Sequence, residues 1–397
     1  LADDAPLYDR PLAAPADRAA RAADDPTATA SPGDAGEDLL ALLGDPSWVY
    51  RQYDHQLFLN TVVGPGGDAA LLRLAGPGLP ASQRGIAVTT DANPRWCALD
   101  PREGTALTLA EGVANLACVG ARAVAVVNCL NFGNPEHPEV MWQLSEVVDG
   151  LSGACRELDL PVIGGNVSLY NESGGTDIDP TPVIGVLGLV ETLRRRPPGA
   201  GWVEGSSVVL LGARGAGSGP PHPLGGTRWA VECRERRGGV LAPLDPAAHR
   251  RLVALVVDLV GEAVAGGEGL LDGVHDVSGG GLGVALAEMA LSSGGGASAD
   301  GASGIGASGI GVRVGGVAGH AELFTELPSR MLVATGRPDE VLSRARQAGV
   351  PAEVLGVAAG DRLVVEDLLD VAIEAIAGSW VGALPSALGE PVSEGST

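Results

Sequence analysis

Apolar residues repeat along this chain with two different spacings, and together they predict an α+β protein built in α/β layers. Short runs rich in valine, leucine and isoleucine at 69–74, 85–90, 121–127, 183–190, 208–211, 330–335 and 362–366 have the length and composition of strands. Other stretches space their apolar residues as helices do. Leu107, Ala110, Val113, Ala114 and Ala117 mark one such helix over 103–119, and 138–158, 246–264, 284–291 and 338–348 mark others. An Arg/Pro/Gly bridge at 194–201 interrupts the pattern and reads as a boundary. The expected organisation is one domain over 45–195 and a second over 203–385.

The flanks read differently. Residues 1–44 are rich in Ala, Asp and Pro, a composition that buries little surface, so a linker is expected, with one helical turn at 39–43. The Gly/Ser/Ala stretch 292–311 is expected to be a flexible insert, and 386–397 a disordered tail. The chain starts at Leu1 rather than Met, without the basic and apolar regions of a signal peptide, and reads as a piece of a longer protein. It has no apolar run of about 18 residues, so no membrane span is expected.

Charge narrows the partners. A formal net charge of −23 argues against nucleic acid and anionic membranes, which need a basic footprint. All 26 basic residues are arginine, and without a lysine there is no Walker-type phosphate loop. Five cysteines with no C-x-x-C pair make a poor zinc or disulfide framework and suggest a reducing cytoplasm.

Polar residues cluster where the predicted strands end: Asp91 and Asn93; Asn128, Asn131 and Asn134; Asn166, Ser168, Asn171 and Glu172. The stretch Ile163-Gly164-Gly165-Asn166-Val167-Ser168 is expected to be a glycine bend leading into a polar loop. Glycines let backbone approach a ligand, successive amides cradle anions, and Asn, Ser and Glu oxygens suit a hydrated Mg²⁺. This pattern points to an ATP–Mg²⁺ contact, while turn and helix-cap roles account for the same residue types. His275-Asp276 before three glycines reads either as a general base with its carboxylate or as a packed His beside a capping Asp. Glu326 reads as a metal ligand or a partner of Arg330.

Three strings in order, Asn128-Cys129-Leu130-Asn131-Phe132-Gly133-Asn134-Pro135-Glu136, Val140-Met141-Trp142-Gln143 and Gly165-Asn166-Val167-Ser168-Leu169-Tyr170-Asn171-Glu172, carry a resemblance. The chain resembles the phosphoribosylformylglycinamidine synthase family, specifically the carboxy-terminal half of its synthetase subunit. That resemblance implies a PurM-like A-type domain followed by a B-type domain, the A-type domain pairing with its counterpart in a preceding half. It implies ATP-dependent conversion of formylglycinamide ribonucleotide to the amidine with glutamine-derived ammonia, with ATP and Mg²⁺ as cofactors. A glutaminase subunit, a small bridging subunit and the missing first half are the implied partners. By the same resemblance Asn128 and Gly165 contact nucleotide, Asn166 binds Mg²⁺ and Ser168 contacts substrate; the catalytic histidine is expected in the first half. Asn128 replaces an Asp usual in the family, Gly279 stands where an Asp often follows Ser278, and Leu327-Pro328 replaces a more polar pair. These departures leave a non-catalytic nucleotide-binding scaffold, or a related phosphotransferase, as alternatives.

Overall fold

The computed structural model describes residues 8–78, 80, 82–217, 220–294 and 309–389. Four short helices open the chain: α1 (Arg18–Ala23), α2 (Pro26–Thr29), α3 (Ala35–Ala41) and α4 (Ser47–Tyr50). A first sheet follows, made of β1 (Thr61–Val63), β2 (Ala70–Arg73), β3 (Gly85–Asp91), β4 (Arg122–Asn131), β5 (Val162–Ser168) and, after the small hairpin β6 (Glu172–Ser173) and β7 (Thr176–Asp177), β8 (Thr181–Val190). Its order is β1-β2-β3-β8-β4-β5, antiparallel except for the last pair, β4 and β5. Helices α5 (Pro94–Leu99), α6 (Pro101–Cys118) and α7 (Pro138–Leu158) are threaded between its strands.

This sheet is covered on one face. Along β3 the inward residues Ala87 and Thr89 are buried while Val88 and Thr90 are exposed, the alternation of a half-covered strand. Helix α6 has no polar side: most of its residues are buried, as expected for a helix enclosed all round. It packs on the first sheet, on α7 and on α8 (Pro246–Val264). Proline in the first turn, where its missing N–H costs nothing, starts α6, α7 and α8 alike.

The second sheet has seven strands in the order β10-β12-β9-β13-β11-β14-β15. These are β9 (Ser207–Gly212), β10 (Gly273–Asp276), β11 (Val312–Val314), β12 (Arg330–Thr335), β13 (Ala352–Ala358), β14 (Arg362–Val365) and β15 (Leu369–Ala372). Strand β12, next to the edge strand β10, is buried at every residue, the mark of a strand covered on both faces. Val209, Leu211, Met331 and Val333 join the core around α6 and α8, shared with the first sheet. Val208, Leu210, Leu332 and Ala334 face a second core with α9 (Gly281–Ser292), α10 (His320–Phe324) and α12 (Ile373–Ala387), while α11 (Pro338–Gln347) packs beside β13. The two halves therefore share one apolar core.

Three expectations change. The stretch 1–44 contains α3, whose Leu39 and neighbouring Leu42 are buried in the second core, because Arg234 and Trp229 satisfy the Asp38 carboxylate there. The focal glycine bend is strand β5, held in parallel register by β4. Likewise β4 runs on through Asn128 to Asn131, so Asn128 lies in a strand rather than a loop. Of the expected insert 292–311 and tail 386–397, residues 295–308 and 390–397 lie outside the described residues.

His249 in α8 is buried, with Nδ1 2.9 Å from Ser329 Oγ. Burial lowers its pKa from 6.5 to about 4. The neutral ring is thus favoured in the fold, so its contribution to stability is complete above the unfolded pKa and is lost as pH falls toward the folded one. Stability is expected to drop by about 3 kcal/mol between pH 6.5 and 4 from this residue. Denaturant midpoints against pH check this, and His249→Gln should flatten that limb.

Candidate functional site

Register brings the candidate residues together on the β4–β5 ribbon. Asn128 pairs with Gly165, Cys129 with Asn166 and Asn131 with Ser168. Strand alternation then sends them to opposite faces. Asn128 and Gly165 lie on the face that carries the helices, in one row with Ile184 and Asp91 across the sheet. Asn166 lies on the open face, its Nδ2 3.5 Å from Cys129 Sγ. Ser168 follows on that side, with Asn171 Nδ2 donating to Ser168 Oγ at 3.1 Å and to Phe132 O at 3.0 Å.

Gly165 has a steric reason to be glycine. A Cβ there would sit 2.5 Å from Asn128 Oδ1, so the absence of a side chain lets the Asn128 amide lie over the β5 backbone. The ribbon itself is open: Gly165 and Asn166 are exposed, as are Val162, Ile163 and Val167 along the same edge. At its end Asp177 Oδ1 accepts from Asn134 N at 2.7 Å and Asp177 Oδ2 lies 2.6 Å from His137 Nδ1, fixing the β4–α7 turn. Asn131 is occupied structurally, donating to Cys129 O and Thr181 O, and Asn134 accepts from Glu136 N within its own turn. Asn93 caps α5 by accepting from Trp96 N at 3.2 Å.

On the helix face Asp91 meets Asn115 and Glu111 of α6, two residues not singled out in the sequence. Asn115 Nδ2 donates to Asp91 Oδ1 at 3.0 Å, while Asp91 Oδ2 is buried without a hydrogen-bond partner. Burial raises Asp91 to about 6. Burial also holds Glu111 well above the carboxylate range, and the charges of Asp91, Asp276 and Glu326 push it further. Glu111 and Asn115, four apart on α6, share one helix face; that spacing was the available signal. The orphaned Asp91 oxygen is a donor of the type a hard divalent cation takes.

Glu326 ties the two halves together. Its carboxylate accepts from Trp96 Nε1 at 3.2 Å, Arg228 N at 2.7 Å and Gly280 N at 2.8 Å, and Arg95 Nη2 lies 3.7 Å away. Arg330 donates to Thr325 O instead, so the expected Glu326–Arg330 pairing gives way to these contacts. Asp276 does not cap a helix either: it ends β10, and Gly280 occupies the cap position of α9. His275 is held by other carboxylates, Asp68 at 2.7 Å and Glu288 at 3.0 Å.

Residues 66–190 match the family model for the AIR synthase related protein, N-terminal domain, and residues 203–367 match that for its C-terminal domain. Among curated proteins, the chain is 40% identical over 398 residues to a phosphoribosylformylglycinamidine synthase subunit PurL of Moorella thermoacetica, covering 97% of this chain and 50% of that protein. A subunit of the same name from Leifsonia xyli is 42% identical over 368 residues, covering 90% and 45%. The chain thus spans about half the length of the curated relatives it matches. Among solved structures, T. maritima PurL complexed with FGAR superposes with a TM-score of 0.61 at 14% identity, covering 86% of this chain and 53% of that one. The structure of PurLQS from Thermotoga maritima gives 0.52 at 17% identity, covering 87% and 49%. Both show the same PurM-like fold.

Proposed function

The chain belongs to the AIR synthase related family, and from that premise we propose that it supplies the carboxy-terminal half of a cytoplasmic phosphoribosylformylglycinamidine synthase. The reaction is the ATP-dependent amidation of formylglycinamide ribonucleotide with glutamine-derived ammonia. ATP phosphorylates the formamide oxygen, turning a poor leaving group into phosphate; ammonia adds at that carbon, and phosphate departs to give the amidine. No helix among the described residues is long and apolar enough to cross a membrane.

The observation that carries this reading is the Asn128–Gly165 pair on an exposed ribbon, in a chain 40% identical to a synthase subunit over 97% of its length. The Asn128 amide offers hydrogen bonds to nucleotide, Gly165 gives backbone access beside it, and Ser168 Oγ faces substrate. Mg²⁺, when bound, neutralises the phosphate oxygens during transfer. Asn166 on the open face and the Asp91–Glu111 carboxylates on the other offer oxygen donors of the type it takes. An open ribbon excludes no water by itself. The proposed complement is the first half of the protein, which covers this face and brings the catalytic histidine, with a glutaminase subunit and a small bridging subunit delivering ammonia.

A second reading, a nucleotide-binding scaffold without turnover, is favoured by one observation: Asn128 carries no charge where the family's Asp would. The two separate by experiment. Titrating the chain with ATP and Mg²⁺, Asn166→Ala is expected to weaken Mg²⁺-dependent nucleotide binding about tenfold, the worth of one charge-assisted contact. Ser168→Ala should leave nucleotide binding intact and weaken substrate binding. If both variants bind both ligands as wild type does, the site assignment is wrong. Amidine synthesis after adding a relative's amino-terminal half selects the enzyme reading, and binding without synthesis selects the scaffold.

A further inference from the structure

The seam between the halves holds a cluster that the amidation reading does not use. Asp68 follows the glycine turn at 64–67 of the first domain, His275 and Asp276 end β10 in the second, and Glu288 projects from α9. His275 Nδ1 is 2.7 Å from Asp68 Oδ1 and 3.7 Å from Asp276 Oδ1, while Nε2 is 3.0 Å from Glu288 Oε2. The side chains of Asp68, His275 and Asp276 are only 10%, 12% and 8% exposed. One ligand atom from each of these three lies within 4.8 Å of the others. Cys118, at the buried end of α6, lines the same cavity as Asp68.

Three features point to a metal. First, the ligand atoms of a tetrahedral N/O zinc site stand about 3.4 Å apart, as bond lengths near 2.1 Å require, and the separations of 2.7 and 3.7 Å bracket that spacing. Second, three carboxylates surround a single imidazole, which leaves net negative charge at the seam even if the ring is protonated, and buried charge needs a counter-charge. Third, Glu288 stands behind the ring. A carboxylate accepting from Nε2–H leaves Nδ1, once an ion displaces the hydrogen it shares with Asp68, as the ligand atom, the carboxylate–histidine–metal arrangement. A cavity of about 340 Å³ reaches Asp68 and Cys118 and gives an ion a way in.

We propose that Asp68, His275 Nδ1 and Asp276 form a three-ligand site, its fourth position left to a water, for a divalent transition-metal ion of the Zn²⁺ type that pins the two domains together. An imidazole ligand favours such an ion over Mg²⁺. Both ring nitrogens of His275 are hydrogen-bonded to carboxylates, so Nδ1 must give up its hydrogen to become a ligand and loading releases a proton. The site is independent of the β4–β5 ribbon and does not rest on the amidation reading.

The test uses the 397-residue chain stripped with a chelator and titrated with Co²⁺ as a spectroscopic probe, then with Zn²⁺. Wild type is expected to bind one tight ion per chain, with the d–d absorption of a four-coordinate Co²⁺ and proton release. Asp68→Asn should lower affinity at least 30-fold, and Glu288→Gln, which removes no ligand, 10- to 100-fold. Asp91→Asn, in the neighbouring carboxylate set, should bind as wild type does. Thermal melts of the stripped variants establish that each is folded; should Asp68→Asn not fold, Glu288→Gln carries the same test. The proposal fails if wild type takes up no ion, if Asp68→Asn and Glu288→Gln bind as tightly as wild type, or if Asp91→Asn abolishes uptake.

Discussion

Asp38→Ala is expected to cost about 3–5 kcal/mol of stability, the range for removing one partner of a buried ion pair. Asp38 accepts from Arg234 Nη1 at 2.9 Å and Nη2 at 2.5 Å, and from Trp229 Nε1 at 2.7 Å. The Arg234 guanidinium also lies 4.6 Å from the centre of the Trp229 ring. The Asp38 and Arg234 side chains are 10% and 17% exposed, so water does little to replace the lost carboxylate. Alanine would leave the Trp229 indole N–H without its acceptor, and the Arg234 guanidinium with the carbonyls of Ser31, Pro32 and Cys233 but no counter-charge. The damage should reach the docking of α3, whose Leu39 is fully buried. Denaturant unfolding measures the loss, and an Asp38→Ala/Arg234→Met double variant should be less destabilised than Asp38→Ala alone. A loss under about 1 kcal/mol would mean that α3 is an appendage rather than part of the second core.

Gly165→Val carries the largest expected effect on binding: at least a 100-fold loss of nucleotide affinity, or about 2.7 kcal/mol, with the fold retained. Valine suits an edge strand, so the backbone of β5 should hold. Its Cβ would meet the Asn128 amide at 2.5 Å, and that flexible side chain is what gives way. The variant thus displaces Asn128 and fills the approach to the β5 backbone in one step. Isothermal titration with ATP reads the affinity, and a thermal melt within a few degrees of wild type excludes unfolding. Gly165→Val in an Asn128→Gly background should show strong non-additivity, since the two side chains compete for one space. Equal nucleotide binding by wild type and Gly165→Val would remove this pair from the site.

Much of the layering was legible because local and tertiary preferences agree. Helices α7 and α8 fall at the expected residues, since each opens on a proline and keeps its apolar residues at helical spacing. The errors cluster where distant partners decide. Asn128 follows an apolar run and reads as a loop residue, yet β8 on one side and β5 on the other continue the ladder through it. The two glycines of β5 suggest a bend, but Gly165 serves close packing of a neighbouring amide within a strand. The Ala/Asp-rich flank reads as linker because the groups that make Asp38 tolerable inside lie more than 190 residues away. The Asp91 and Glu111 carboxylates come from a strand end and a helix with no shared motif, so only the fold places them together.

The core around α6 has a further consequence for how such a chain can be inherited. Leu109, Val113 and Leu116 belong to the same apolar cluster as Val256 and Val333, so neither domain owns a complete interior. A gene fragment encoding just one of them would make a product with a bare oily flank. The smallest unit that duplication or fusion can move intact is therefore the pair.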